Sequence, residues 1–148
     1  MSEITTINQT SNQVQFDVDQ SKVFVYGNKF EGANFINLTG GILSYAVGTV
    51  LGRIHATGKV TELKSAATDG SQFPIGILAT ELTAIAGSGT ADINFCNAGE
   101  VAEEKVILNG ADTLLTVVDA RILRDRIAAD TMGIKLVLGT ELTGFDNQ

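Results

Sequence analysis

His55 is the only histidine and Cys96 the only cysteine in this 148-residue chain. Proton transfer, nucleophilic attack and soft-ligand metal binding would have to start from one of them. Triads and metal sites need several converging groups, and no partner for His55 lies close to it in sequence, so His55 reads as a structural residue. Cys96 closes the alternating run 91–96 and reads as a structural thiol on a strand; a single cysteine excludes an internal disulfide framework. Carboxylates are numerous, yet none stands in a recognisable acid–base or metal spacing. Asp69 precedes Gly70, where its carboxylate can bond its own turn. Glu103-Glu104-Lys105 reads as a solvated corner. Gly87-Ser88-Gly89 is followed by neither a Lys-Ser/Thr pair nor a helix, so it is a turn and no phosphate loop. Arg121, Arg124 and Arg126 interleave with Asp119, Asp125 and Asp130, the pattern of a salt-bridged helix face; Arg121 and Arg124 on it are candidates for a subunit interface. No catalytic residue, cofactor site or metal site is assigned.

The elements that would carry these residues are mostly strands. In residues 48–78, two apolar runs, 49–54 and 75–78, flank a polar turn region closed by Asp69-Gly70-Ser71. Gly52 and Gly76 interrupt the runs where a backbone must bend or a neighbour must come close. Ten of the sixteen glycines fall between Gly40 and Gly99, punctuating short apolar runs in the manner of a compact all-β body. Pro74 opens the run at Ile75, where a missing amide hydrogen is tolerated. Val101 and residues 106–108 add one or two strands. Leu115, Val118, Ile122, Leu123 and Ile127 recur at helical spacing, which predicts a helix over 115–129 with Asp112 or Thr113 as its cap and Gly133 past its end. Residues 134–138 form a last strand.

Ahead of this body the pattern changes twice. Residues 2–13 are polar, with Glu3 their single charge, and cannot bury enough apolar surface to offset ordering. They form an arm (1–13), either an inert tail or a segment that orders on a partner with the isolated Ile4 and Ile7 as anchors. From residue 14, Val14, Phe16 and Val18 alternate with Gln15, Asp17 and Asp19, a half-buried strand signature. Residues 22–26 form a β-branched and aromatic run stopped by Gly27-Asn28, and 30–38 a weaker strand ended by Thr39-Gly40-Gly41. This strand-rich extension, 14–39, either joins the core of the 40–148 domain or lies beside it.

A formal charge of -7 and a pI near 4.5 argue against a nucleic-acid partner, because phosphate binding needs clustered Lys and Arg. No window approaches eighteen apolar residues, so no membrane span is expected. Residues 1–13 have no basic start and no apolar stretch, and the expectation is synthesis in the cytoplasm.

The order Gly40-Gly41-Ile42-Leu43, then GTVLGRI, ATGKV, ATDGSQFPIGIL, Asn97-Ala98-Gly99-Glu100-Val101 and finally Thr131-Met132-Gly133-Ile134-Lys135-Leu136-Val137 resembles the head decoration proteins of lambda-like tailed phages, over residues 40–138. The resemblance implies a mainly β, glycine-rich β-tulip-like body with one helix in its C-terminal half. It also implies a structural virion protein that sits as a homotrimer on the outside of an expanded phage head and cements it. In that family an N-terminal arm orders against the major capsid protein. Here Ile4, Ile7, Val14, Phe16 and Val18 would serve as that capsid-binding arm, an extended segment adding to a sheet edge. The stretch before the matched core is longer and richer in strands than a simple arm, and the 115–129 helix is more definite than the resemblance requires. A surface-displayed adhesion or carbohydrate-binding module is the alternative function. A small hydrolase built on His55 and nearby carboxylates is the weakest.

Overall fold

Val50-Leu51, Ile77-Leu78 and Phe95-Cys96 are neighbouring apolar pairs, and neighbours on a strand point to opposite faces. Both members of a pair can be buried only where the sheet is covered on both sides. In the computed structural model, which describes residues 23–138, all six side chains are almost wholly buried.

The strands are β1 (Phe24–Ile36), β2 (Leu43–Tyr45), β3 (Val50–Arg53), β4 (Val60–Glu62), β5 (Pro74–Leu78), β6 (Leu82–Ile85), β7 (Thr90–Ala102), β8 (Val117–Val118), β9 (Arg121–Ile122) and β10 (Ile134–Val137). A 3-10 turn, Glu103–Lys105, follows β7, and one helix, α1 (Leu123–Asp130), precedes β10. The main sheet runs β10-β7-β1-β4-β3-β5, and β5 also pairs with β7, Ile77 opposite Cys96 and Leu78 opposite Phe95. That pairing closes five strands into a small barrel and leaves β10 outside it, parallel to the end of β7. The fold is mainly β with one helix. Among the described residues no helix is long and apolar enough to cross a membrane.

Two cores result. Phe35, Leu51, Val60, Leu78, Ile93 and Phe95 form one cluster with Tyr45 and Leu82; each of the five barrel strands contributes to it, so it fills the barrel. The Phe35 and Tyr45 rings lie 4.9 Å apart within it. Val50, Ile77, Cys96 and Val101 point outward and meet Leu63, Val118, Leu123, Ile127 and Ile134, so the second core lies between barrel wall, α1 and β10. Each fully buried large side chain contributes about 1.5–3 kcal/mol, which makes both cover layers necessary. Gly52 and Gly76 permit the tight wall: a methyl group on Gly52 would overlap the Ser71 carbonyl, and one on Gly76 the Cys96 carbonyl and the Phe95 ring.

Three expectations need correction. Gly27-Asn28 does not stop a strand: residues 24–26 and 30–36 belong to one strand, β1, irregular in register between Phe24 and Phe30. Gly27 takes φ 65° there, and the Asn28 amide donates to the Glu100 carbonyl at 2.9 Å, so the break is a bulge stitched to β7. In the described part of this stretch, β1 pairs along β7, and only Phe35 also reaches β4. Second, residues 106–108 form no strand; Ile107 makes a single bridge with Thr49. Third, the helix is only Leu123–Asp130, and its cap position, Ile122, makes no side-chain cap bond. Residues 117–122 instead form the β8–β9 hairpin, with Asp119 and Ala120 at φ 49° and 73°. Positive φ at both central residues is the geometry of a tight hairpin turn. Leu115 is exposed, so its helical spacing was coincidence.

Candidate functional site

Where chemistry was sought first, the residues build a turn. His55 is exposed beyond the end of β3 and its amide donates to the Asp69 carbonyl at 2.9 Å. The Asp69 carboxylate accepts from the Ser71 hydroxyl at 2.6 Å and from the Ser71 amide at 3.0 Å. Those two bonds, with a smaller contribution from nearby His55, hold Asp69 below the usual carboxylate range. Ser71 is buried and donates its hydroxyl hydrogen bond to the carboxylate directly, so imidazole does not stand between hydroxyl and acid as a general base must. Among the described residues no three His, Cys, Asp or Glu side chains converge as a metal set. Buried Cys96 donates to the Ala98 carbonyl at 3.0 Å, a structural thiol.

The arginines are placed unequally. Arg126 is the anchor: it donates to the Val118 and Asp119 carbonyls at 3.0 and 2.7 Å, pairs with Asp130 at 3.4 Å and lies 5.1 Å over the Phe73 ring. It ties hairpin, helix and outer core together. Arg124 pairs with Glu103, binding α1 to the 3-10 turn. Arg121 is exposed on β9 and makes no ion pair among the described residues. A groove of about 200 Å³ is lined by Arg124, Asp125, Ala128, Ile134, Lys135 and Leu136, between α1 and β10. Ile4, Ile7, Val14, Phe16 and Val18 lie outside the described residues.

Two polar clamps escaped the sequence reading. Asn37 is fully buried. Its amide donates to the carbonyls of Gly41 and Ile85 at 2.9 and 3.0 Å, and its oxygen accepts from the Thr39 hydroxyl at 2.7 Å. This one side chain fixes the loop that follows β1 against the end of β6. Asp112, expected as a helix cap, instead accepts from the Ser65 amide at 2.9 Å and from the Asn109 amide at 2.6 Å. Burial pushes its carboxyl up, but the Ser65 and Asn109 donors outweigh burial and hold it below the ordinary value. The long-range half of each clamp has no sequence signature, because Ile85 lies 48 positions from Asn37 and Ser65 47 from Asp112.

The described surface also carries several exposed apolar side chains. Tyr26 and Phe30 stand out on β1, 75% and 51% exposed, while Leu38 and Ile42 lie on the Asn37 loop and Leu115 and Val117 beside the β8–β9 hairpin. Phe30 leans on Phe24 edge-to-face at 5.3 Å.

The family model described as bacteriophage lambda head decoration protein D matches residues 33–125, well over half the chain. No curated protein matches. The match covers β2 to β9, with four of the five barrel strands, ends within α1, and omits most of β1 and all of β10. These omitted parts are gathered along one strand: Phe24–Gly32 lie opposite Val101–Asn94 of β7, and Ile134–Val137 opposite Gly99–Ala102. The result is a three-stranded wing, β1–β7–β10, in which β7 lies inside the matched region and most of β1 and all of β10 lie outside it.

Proposed function

This chain belongs to the bacteriophage lambda head decoration protein D family, a family of structural phage-head proteins, and from that membership we propose that it binds the outer surface of an expanded capsid and stabilises it. The carrying observation is the family match over four of the five strands of the closed barrel. The partner is the major capsid protein and the location the exterior of the virion, after synthesis in the host cytoplasm. A homotrimer fits a threefold position of a shell, because closed cyclic symmetry engages three equivalent capsid edges together.

The work in this reading is mechanical. Each copy contributes a body whose barrel is filled by one core and covered over part of its outer wall by a second, and residues 2–13 contribute an extended segment that pairs with the capsid protein. Backbone hydrogen bonds supply affinity, and Ile4 and Ile7 supply register. Farther along the same arm, Val14, Phe16 and Val18 continue the contact. Stabilisation is small per copy and large when summed over the lattice.

Cosedimentation with purified expanded heads tests this. The full-length protein is expected to pellet with expanded heads and to stay in the supernatant with unexpanded ones. Removal of residues 2–13 is expected to weaken binding at least tenfold, on the order of 1.4 kcal/mol or more. Equal binding by the truncated protein would refute the arm mechanism, and no binding by the full-length protein would refute the capsid reading itself.

A further inference from the structure

β1 is paired with β7 along its length, but its opposite edge meets a described strand only where Phe35 faces Val60 of β4. Among the described residues the edge from Phe24 to Ala33 therefore has no partner strand. An unpaired edge of that length bearing exposed Tyr26 and Phe30 is one that proteins normally cover, because it templates pairing with other chains. The chain entering β1 supplies a strand of the right character at the right distance. Val14, Phe16 and Val18 alternate with polar residues, and only Asp19, Gln20, Ser21 and Lys22 separate them from the described residues. Antiparallel neighbours need no more than such a short polar loop.

We propose that residues 14–18 fold back through this loop and pair antiparallel with the open edge of β1 in the same chain. Register follows from the period of two. A three-residue loop, Asp19-Gln20-Ser21, sets Val18 opposite Lys22 and Phe16 opposite Phe24, and brings Val14 to the irregular segment of β1 that starts between Phe24 and Tyr26. This puts the apolar side chains of the added strand on the face of Phe24, which already packs against the outer core. A slip of one residue would turn all three away from it. The wing becomes four strands, and the folded body begins at residue 14. Resting on the capsid reading above, the proposal also refines it: residues 14–18 hold β1 with one edge and leave the other for the capsid protein, with Ile4 and Ile7 beyond.

Solution NMR of the full-length protein, free of heads, tests the pairing independently of capsid binding. Cross-strand Hα contacts between Phe16 and Phe24, and amide exchange across residues 14–18 slowed at least about tenfold relative to an unfolded chain, are expected. Phe16→Asp is expected to abolish that protection while the β1–β7 amides stay protected. Coil-like shifts and fast exchange at 14–18 would overturn the proposal. So would contacts of these residues with another element, or contacts seen only between differently labelled copies in an isotope-filtered experiment, which would make the occupant a second molecule. Because no heads are present, failure here leaves the cosedimentation result standing, and failure there leaves this one.

Discussion

Asn37 is the residue on which most of the loop geometry depends. A buried amide that satisfies several backbone carbonyls leaves them all unpaired when removed, so Asn37→Ala should cost about 2–4 kcal/mol. Urea denaturation measures it, and a loss below about 0.5 kcal/mol would show that the loop holds itself. Carboxylates give a second residue-scale test. Burial raises the Glu62 carboxyl above its ordinary value; Lys64 lowers it and Asp112 raises it further. A folded-state pKa above the unfolded one means that the fold favours the protonated acid. That contribution is complete below the unfolded pKa and is lost as pH rises through the folded value. Glu62→Gln should therefore raise Tm at pH 7, with the gain shrinking as pH falls toward 4. Asp112 runs the opposite way: its depressed carboxyl stabilises above the unfolded pKa, and that contribution is lost as pH falls through the folded value. A Glu62→Gln gain that did not depend on pH would contradict this assignment.

At the scale of elements, the β8–β9 hairpin offers a change whose sign separates two structures. Ala120 sits at φ 73°, where a Cβ costs roughly 1–2 kcal/mol. Ala120→Gly should stabilise the protein by about 1 kcal/mol. Had residues 115–129 been one helix, the same change would destabilise by about 1 kcal/mol. Differential scanning calorimetry reads the sign. The misreading has a physical cause. Val118, Leu123 and Ile127 all belong to the outer core, so a hairpin followed by a short helix buries residues at spacings a long helix would share. Runs with both faces buried were easier: 49–54 contains β3, 75–78 is β5 without its first residue, and Gly52 and Gly76 stand where another backbone approaches. Gly27-Asn28 looked like a stop because the sequence shows a φ-permissive residue but not the β7 carbonyl its neighbour reaches. Asn37 and Asp112 were illegible for the related reason that contacts across 47–48 positions leave no local pattern.

In the whole molecule, a closed barrel with a second core outside it belongs to a family whose members decorate phage heads. The family was legible because its turn and strand order, from the Asp69-Gly70-Ser71 turn through Pro74-Ile75-Gly76-Ile77-Leu78, is set by close backbone approaches that only certain residues allow. The contact surface was less so. Arg124 is tied to Glu103 within the body, which leaves Arg121 as the more available of the two interface candidates, and Arg121→Glu should weaken assembly on heads while leaving Tm within about 1 °C. Cosedimentation alongside a thermal melt separates those effects; a fall in Tm with normal assembly would remove Arg121 from the interface. The most direct test of the central claim is the temperature at which expanded, DNA-filled heads release their genomes, measured with and without saturating protein. The account predicts release at a clearly higher temperature when the protein is bound. Identical release temperatures on heads shown to be fully decorated would contradict it.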